Sequence, residues 1–290
     1  MVIRDRGYKL HTLLNLPGAL NFASGHFNDD GIPDLVTLTG QAREAVHLFL
    51  STGPGEFEHR MILMRQPAWG HSHIEVVDFN KDSHPDLLIT NGDNGELSNY
   101  PSKPYNGVRL HLNDGKNNFK EAFFFPQYGA YRAIAEDFDG DGDLDIYACG
   151  YNPSADRIRS GALGEPLPYH DAQNGGKNML LRNDGGWQFN DVTETVGLGH
   201  NNNRFSFAAA WEDYDDDGDP DLYVANDYGR NNLYKNTGGR FIDVAAELGI
   251  EDMSAGMSAS WADFNRDGRL DIYISNMFSS LYHLLSLIHI

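Results

Sequence analysis

Five nine-residue segments of this chain align without a gap: HFNDDGIPD from His26, DFNKDSHPD from Asp78, DFDGDGDLD from Asp137, DYDDDGDPD from Asp213 and DFNRDGRLD from Asp263. Their starts lie 52, 59, 76 and 50 residues apart, so one unit of about fifty residues recurs, once with a long insertion. A repeat of this length is one supersecondary unit that cannot bury its apolar surface alone, so the units must stack on one another. An apolar run rich in Leu, Ile, Val and Tyr follows each acidic segment, and a strand-like stretch such as Ile74–Val77 or Phe207–Trp211 precedes it. Further runs, Val46–Leu50, Val108–Leu112, Asn178–Arg182 and Asn232–Lys235, lead into Gly-containing turns, each followed by an aromatic: Phe57, Phe119, Phe189 or Phe241. Gly and Asn accept the positive φ of tight hairpin turns. Each unit therefore reads as four antiparallel strands, and the chain as an all-β β-propeller. Small residues collect in the strand before each acidic loop (Ser24-Gly25, Ala133 with Ala135, Ala208–Ala210, Ser258–Ser260), which identifies it as the innermost strand, where blades crowd around an axis.

The acidic loops carry a metal-ligand pattern. Loop three places side-chain oxygens from Asp137, Asp139, Asp141 and Asp145 at positions 1, 3, 5 and 9, with Gly142 at position 6 and the Asp143 carbonyl at position 7. Loop four repeats this with Asp213, Asp215, Asp217, Asp219 and Asp221, and loop five with Asp263, Asn265, Asp267, Asp271 and the Arg269 carbonyl. Several anionic oxygens converging on one point suit Ca²⁺, so three to five structural Ca²⁺ sites are expected. An EF-hand would need a bidentate Glu at position 12, and the residues there are Thr37, Ile89, Ala148, Val224 and Ile274. The first two loops depart from the pattern. Loop two supplies Asp78, Asn80, Asp82 and Asp86 but has Ser83 where a glycine should relieve positive φ; loop one supplies Asn28, Asp30 and Asp34 but opens on His26. Repulsion among bare carboxylates should open the loops, so metal binding to the folded state should stabilise it.

The net charge of −20 excludes a nucleic-acid binder, since phosphate contacts need surplus Lys and Arg. Cys149 is the only cysteine, which excludes an internal disulfide. No run approaches the ~18 apolar residues of a membrane helix. Residues 285–290, LSLIHI, match the translation of a sequencing adapter, and residues 1–6, MVIRDR, resemble its opposite strand. Sequence therefore assigns 7–284 to one partial propeller and sets both ends aside.

The D-x-[DN]-x-D-G-x-x-D-[LI] loops with their N-x-G turns resemble FG-GAP or VCBS-type repeats, the calcium-binding blades also found in integrin α-subunit heads. The stretch from Asn174 to Ser280, with DLYVANDYGRNNLYKNTGGRFIDVAAELGI, resembles the bacterial relatives of cartilage acidic protein. That resemblance implies a secreted or surface propeller, often seven-bladed, followed by an UnbV-like (ASPIC) domain of which this chain shows nothing.

Strand direction puts the long connections, Asn91–Gly107 and Gly150–Lys177, on the face opposite the acidic loops, together with the starts of the inner strands. Trp69, His71, His73, Tyr131, Arg132, His170 and Arg204 are thus the candidate ligand mouth. His71, His73 and Glu75 read either as a two-His-one-carboxylate site or as simple pore-lining histidines, and Tyr169–Asp171 either as an acid–base group or as adjacent residues that do not act together. The expected function is a calcium-binding, extracellular or surface adhesion module for a protein or glycan, with no catalytic residue assigned. The alternative is a polysaccharide lyase or hydrolase at the same mouth.

Overall fold

The computed structural model describes residues 12–16, 18–40, 43–92, 103–153 and 170–277, and the backbone of 285–289. The chain is all-β, built as successive antiparallel sheets in which each strand pairs with the next. Blade one holds β1 (Ala19–Gly25), β2 (Asp34–Thr39), β3 (Glu44–Gly53) and β4 (Glu56–Arg65). Blade two holds β5 (His71–Val77), β6 (Asp86–Asn91), β7 (Gly107–Asn113) and β8 (Phe119–Pro126). Blade three holds β9 (Ala130–Glu136), β10 (Asp145–Gly150), β11 (Met179–Asn183) and β12 (Phe189–Asp191). Blade four holds β13 (Phe205–Glu212), β14 (Asp221–Asp227), β15 (Asn232–Asn236), β16 (Phe241–Asp243) and the one-turn helix α1 (Ala245–Leu248). Blade five holds β17 (Gly256–Ala262), β18 (Asp271–Asn276) and β19 (Leu285–His289). The segment that sequence sets aside as 285–290 thus supplies a third strand, paired antiparallel from Asp271↔His289 to Ser275↔Leu285.

The inner strands β1, β5, β9, β13 and β17 pack against one another in sequence order, as blades around an axis must. Four apolar clusters fill the four blade junctions. Leu87 and Ile89 face blade one alongside Val36 and Leu48, whereas their neighbour Leu88 faces blade three alongside Ile146 and Leu181. The period of two along β6 thus sends alternate residues to opposite junctions, which is why all six of its residues are buried.

Aromatic pairs stitch each junction at the acidic-loop face. The position-2 aromatic of one loop meets the aromatic after the Gly turn of the next blade: Phe27–Phe119 at 6.2 Å, Phe79–Phe189 at 6.0 Å and Phe138–Phe241 at 5.8 Å. Each such pair contributes about 0.5–1.5 kcal/mol beyond its buried area. Phe264, the same residue of loop five, is 49% exposed, and Phe22 on β1 is 72% exposed at the other end of the series.

Candidate functional site

Every acidic loop joins an inner strand to the second strand of its blade, so all five lie on one face. Their position-9 carboxylates, Asp34, Asp86, Asp145, Asp221 and Asp271, are all buried. In the first four blades the two oxygens of this group accept separate backbone N–H groups. Asp145 takes those of Phe138 (3.3 Å) and Asn183 (2.8 Å), and Asp221 those of Tyr214 (3.2 Å) and Asn236 (2.7 Å). Asp34 and Asp86 repeat the arrangement with Phe27 and Ser51, and with Phe79 and Asn113. Position 9 is therefore a structural bolt between the loop and the turn after the third strand. The Asn236 side-chain amide also donates to the Phe138 carbonyl of the preceding blade (2.9 Å).

The remaining acids point into the loops. Asp137, Asp139 and Asp145, and likewise Asp213, Asp215 and Asp221, bring carboxylate oxygens within 4.8 Å of one another. Among the described residues these are the two groups of His, Cys, Asp or Glu so disposed. Loops one, two and five, with an Asn at position 3, form no such group. Asp137 Oδ2 accepts the Gly142 N–H at 2.9 Å, while its Oδ1 is buried without a partner. Burial is the largest cause that pushes the Asp145 and Asp221 carboxyls up to about 7, and the neighbouring acids add to it. A bound cation is what would reverse those costs, and an oxygen-only donor set with one bare buried oxygen fits a hard divalent ion. Loop four differs in one respect: the Lys235 ammonium lies on Asp215 and, at 3.3 Å, on Asp217. In loop three the corresponding Arg182 turns away to Asp184 at 2.7 Å.

Backbone geometry bears out the strain expected in loop two, where Ser83 takes φ 68° in the slot that Gly142, Gly218 and Gly268 fill. Position 4 is left-handed too, at Lys81, Gly140, Asp216 and Arg266, a demand sequence analysis missed.

The opposite face opens into a cavity of about 280 Å³ on the axis, lined by residues of all five inner strands. The lining follows one rule of register. Counting back from position 1 of each acidic loop, the sixth residue is Leu20, Ser72, Tyr131, Phe207 or Met257, and all five line the cavity. The fifth residue back adds Asn21, His73, Arg132 and Ser258. In every blade the sixth residue is the extra one of a β-bulge: pairing with the second strand jumps from 19 to 21, 71 to 73, 130 to 132, 206 to 208 and 256 to 258. A bulge leaves one residue out of the ladder and re-aims its side chain, so five bulges in register build a collar of side chains around the axis.

Of the seven mouth candidates, His73, Tyr131 and Arg132 meet at this collar. The other four lie elsewhere. His71 is buried at the junction of blades one and two, its N–H on Glu44 Oε2 at 2.7 Å. Because the bulge at Ser72 separates them, His71 and His73 face opposite sides, and the His71–His73–Glu75 triad does not converge. Trp69 stacks on Tyr105 and receives the Arg109 guanidinium 4.6 Å from its ring centre. Arg204 is buried, donating to the Arg230 carbonyl at 2.5 Å. His170 is exposed and does not line the cavity, and Tyr169 lies outside the described residues.

Beside the collar, Tyr131 lies 4.2 Å from Phe207 and 5.4 Å from Tyr151, ring centre to ring centre. The Tyr151 hydroxyl donates to Asp227 Oδ2 at 2.7 Å, and Asp227, 1% exposed, keeps its Oδ1 without a partner. Burial raises the Asp227 carboxyl above its usual range. No sequence motif marks this pair, which joins the residue after β10 to the last residue of β14 in the next blade.

Among solved structures, the V. cholerae biofilm matrix protein Bap1 aligns at 13% identity over 88% of this chain and 34% of its own, with TM-score 0.40. Rhamnogalacturonan lyase YesW aligns at 13% identity over 93% of this chain and 48% of its own, with TM-score 0.47. The exotype rhamnogalacturonan lyase YesX aligns at 15% identity over 90% and 56%, with TM-score 0.40. This chain thus spans about a third to just over half the length of these proteins. No curated protein matches the sequence. No helix among the described residues is long and apolar enough to cross a membrane. The FG-GAP-like repeat family matches residues 26–89 and 213–274, from the first acidic loop to β6 and from the fourth to β18, so these two segments of the propeller-like fold are FG-GAP-like repeats.

Proposed function

We propose that this chain is a calcium-clamped adhesion module, secreted or surface-attached, that holds a glycan in its axial mouth. The observation that carries this reading is the collar: five bulges at one register turn side chains onto a single axial cavity, on the face away from the acidic loops. Calcium in loops three and four, with the weaker loops adding to it, would fix the blades that carry the collar. The test is a glycan and protein array probed with the full chain in calcium, with Phe207→Ala as the control. Glycan signals that Phe207→Ala abolishes support the reading, whereas unchanged signals, or signals from proteins alone, defeat it. For the metal, calcium should raise the melting temperature and Asp139→Asn/Asp141→Asn should remove much of that rise. A melt indifferent to calcium would sink the structural-metal assignment.

The Tyr151–Asp227 pair favours a second reading, a carbohydrate-active enzyme at the same mouth, because a buried carboxyl with a free oxygen is equipped to move a proton. Turnover of an array-positive polysaccharide, lost in Asp227→Asn with binding retained, would establish it.

A further inference from the structure

We infer that the axial collar takes a hexuronate, the carboxylate-bearing ring of an acidic polysaccharide, seated on Tyr131 and Phe207 with its carboxylate on Arg132. This rests on the glycan reading of the mouth and names its ligand class. Arg132 is the one formally charged residue of the lining, and its Nε is buried without a partner. A guanidinium meets a carboxylate through two parallel N–H donors, a match that neither a hydroxyl nor an amide reproduces. Glu75, which interacts electrostatically with Arg132, has its Oε2 held by the Ala135 N–H at 3.0 Å.

His73 makes the ligand more than an anion. It is 8% exposed and lines the cavity, with its ring bonded to the Ala133 backbone and its Nδ1 buried without a partner. Burial, with Arg132 beside it, pushes its pKa down to about 3, so the ring is neutral and one nitrogen is an acceptor. A carboxylate cannot satisfy an acceptor, but a hydroxyl can. The mouth therefore asks for a carboxylate and a hydroxyl on one small frame. The tilted Tyr131 and Phe207 rings supply an apolar platform for the face of that frame, and Asn21 and Ser258 supply polar groups elsewhere on the collar. At about 280 Å³ the cavity lies at the small end of ligand pockets, suited to one ring and not to a length of chain. An acidic peptide offers the carboxylate without the adjoining hydroxyl.

The test is calorimetry on the full chain in calcium with three probes: a triglucuronate, the same trisaccharide with its carboxylates reduced to hydroxymethyl groups, and a triglutamate peptide. The triglucuronate should bind at least tenfold more tightly than the other two. Arg132→Gln should weaken it about ten- to hundredfold, the cost of one charge-assisted contact. Arg132→Lys, which keeps the charge and loses the fork, should fall between, and serves if the Gln variant fails to fold. Equal binding of the reduced trisaccharide overturns the hexuronate and leaves a neutral-glycan mouth. Preference for the peptide overturns the sugar altogether, and silence from all three probes, matched by a silent array, removes the mouth reading with it.

Discussion

Blades one and two share a plan with blades three and four but stabilise it by different means. In blades three and four the outer strands shrink to three residues each, β12 and β16, and in blade four Ala245 and Ile250 from the segment that follows enter the core. Their acidic loops gather three carboxylates each. In blades one and two the outer strands run to ten and eight residues, and the loops form no such group. Their junction instead buries His71, His111 and Arg109, with half-buried Arg65 joining Arg109 over the half-buried Trp69 ring. What both halves keep is the position-9 bolt. Loop closure is thus the common requirement, and the clustering of three carboxylates an addition found in one half.

The largest effect that could break this distinction is loss of the bolt. Asp86→Ala and Asp145→Ala should each leave two buried N–H groups unpaired, at about 1–3 kcal/mol apiece. Without divalent cations the two losses should be similar, because the bonds are the same. With calcium, Asp145→Ala should cost more than Asp86→Ala, since it removes a ligand as well. Urea melts of both variants with and without calcium decide it. Losses that stay equal in calcium would mean that blade three gains nothing from metal that blade two lacks.

The repeat, the four-stranded unit and the inner position of the small-residue strand were all legible because each rests on local pattern: alternation, turn chemistry and recurrent spacing. Loops three and four were legible for the same reason. The bolt was not, since an Asp that accepts two backbone N–H groups looks in sequence like any ligand in a D-x-D-x-D series. Nor was the collar. Its residues share no chemistry, being Leu20, Ser72, Tyr131, Phe207 and Met257, and only their common distance from position 1 could have found them. His71 misled because alternation was projected through a bulge, and one extra residue turns a strand over, whereas Arg204, chosen as the start of an inner strand, is buried on the Arg230 carbonyl.

A second, smaller effect separates the halves by pH. Burial, with the nearby arginines, lowers His71 to about 4 and His111 to about 4, from 6.5. Arg65, Arg109, Glu44 and Glu121 are the charged groups that face them. Between those values the unfolded chain binds protons that the folded chain refuses, so stability is complete above pH 6.5 and falls as pH drops towards 4. Glu75, raised to about 7, works the other way over its own range. Hydrogen exchange should therefore show the junction of blades one and two opening first as pH falls from 6.5 to 4, with His71→Gln/His111→Gln flattening the dependence. Opening that begins in blades three and four would place the acid-sensitive point elsewhere.

The smallest effect tests loop two alone. Ser83 holds φ 68° with a Cβ, a conformation that costs an L-residue roughly 1–2 kcal/mol, partly offset because glycine has more entropy to lose on folding. Ser83→Gly should therefore stabilise by about 0.5–1 kcal/mol, and Gly142→Ser, the reverse change at φ 95° in loop three, should cost at least as much. Both read out in the same thermal melts. The Ser83 N–H donates to Asp78 Oδ2 at 2.9 Å, as the Gly142 N–H does to Asp137, so neither substitution alters a backbone hydrogen bond. The comparison therefore isolates conformational strain. If Ser83→Gly also increases the melting shift produced by calcium, then strain, and not the missing carboxylate at position 3, is what holds loop two below loop three as a metal site. If the shift stays the same, the difference lies in the Asn80 amide, and Asn80→Asp is the change that should convert one half's loop into the other's.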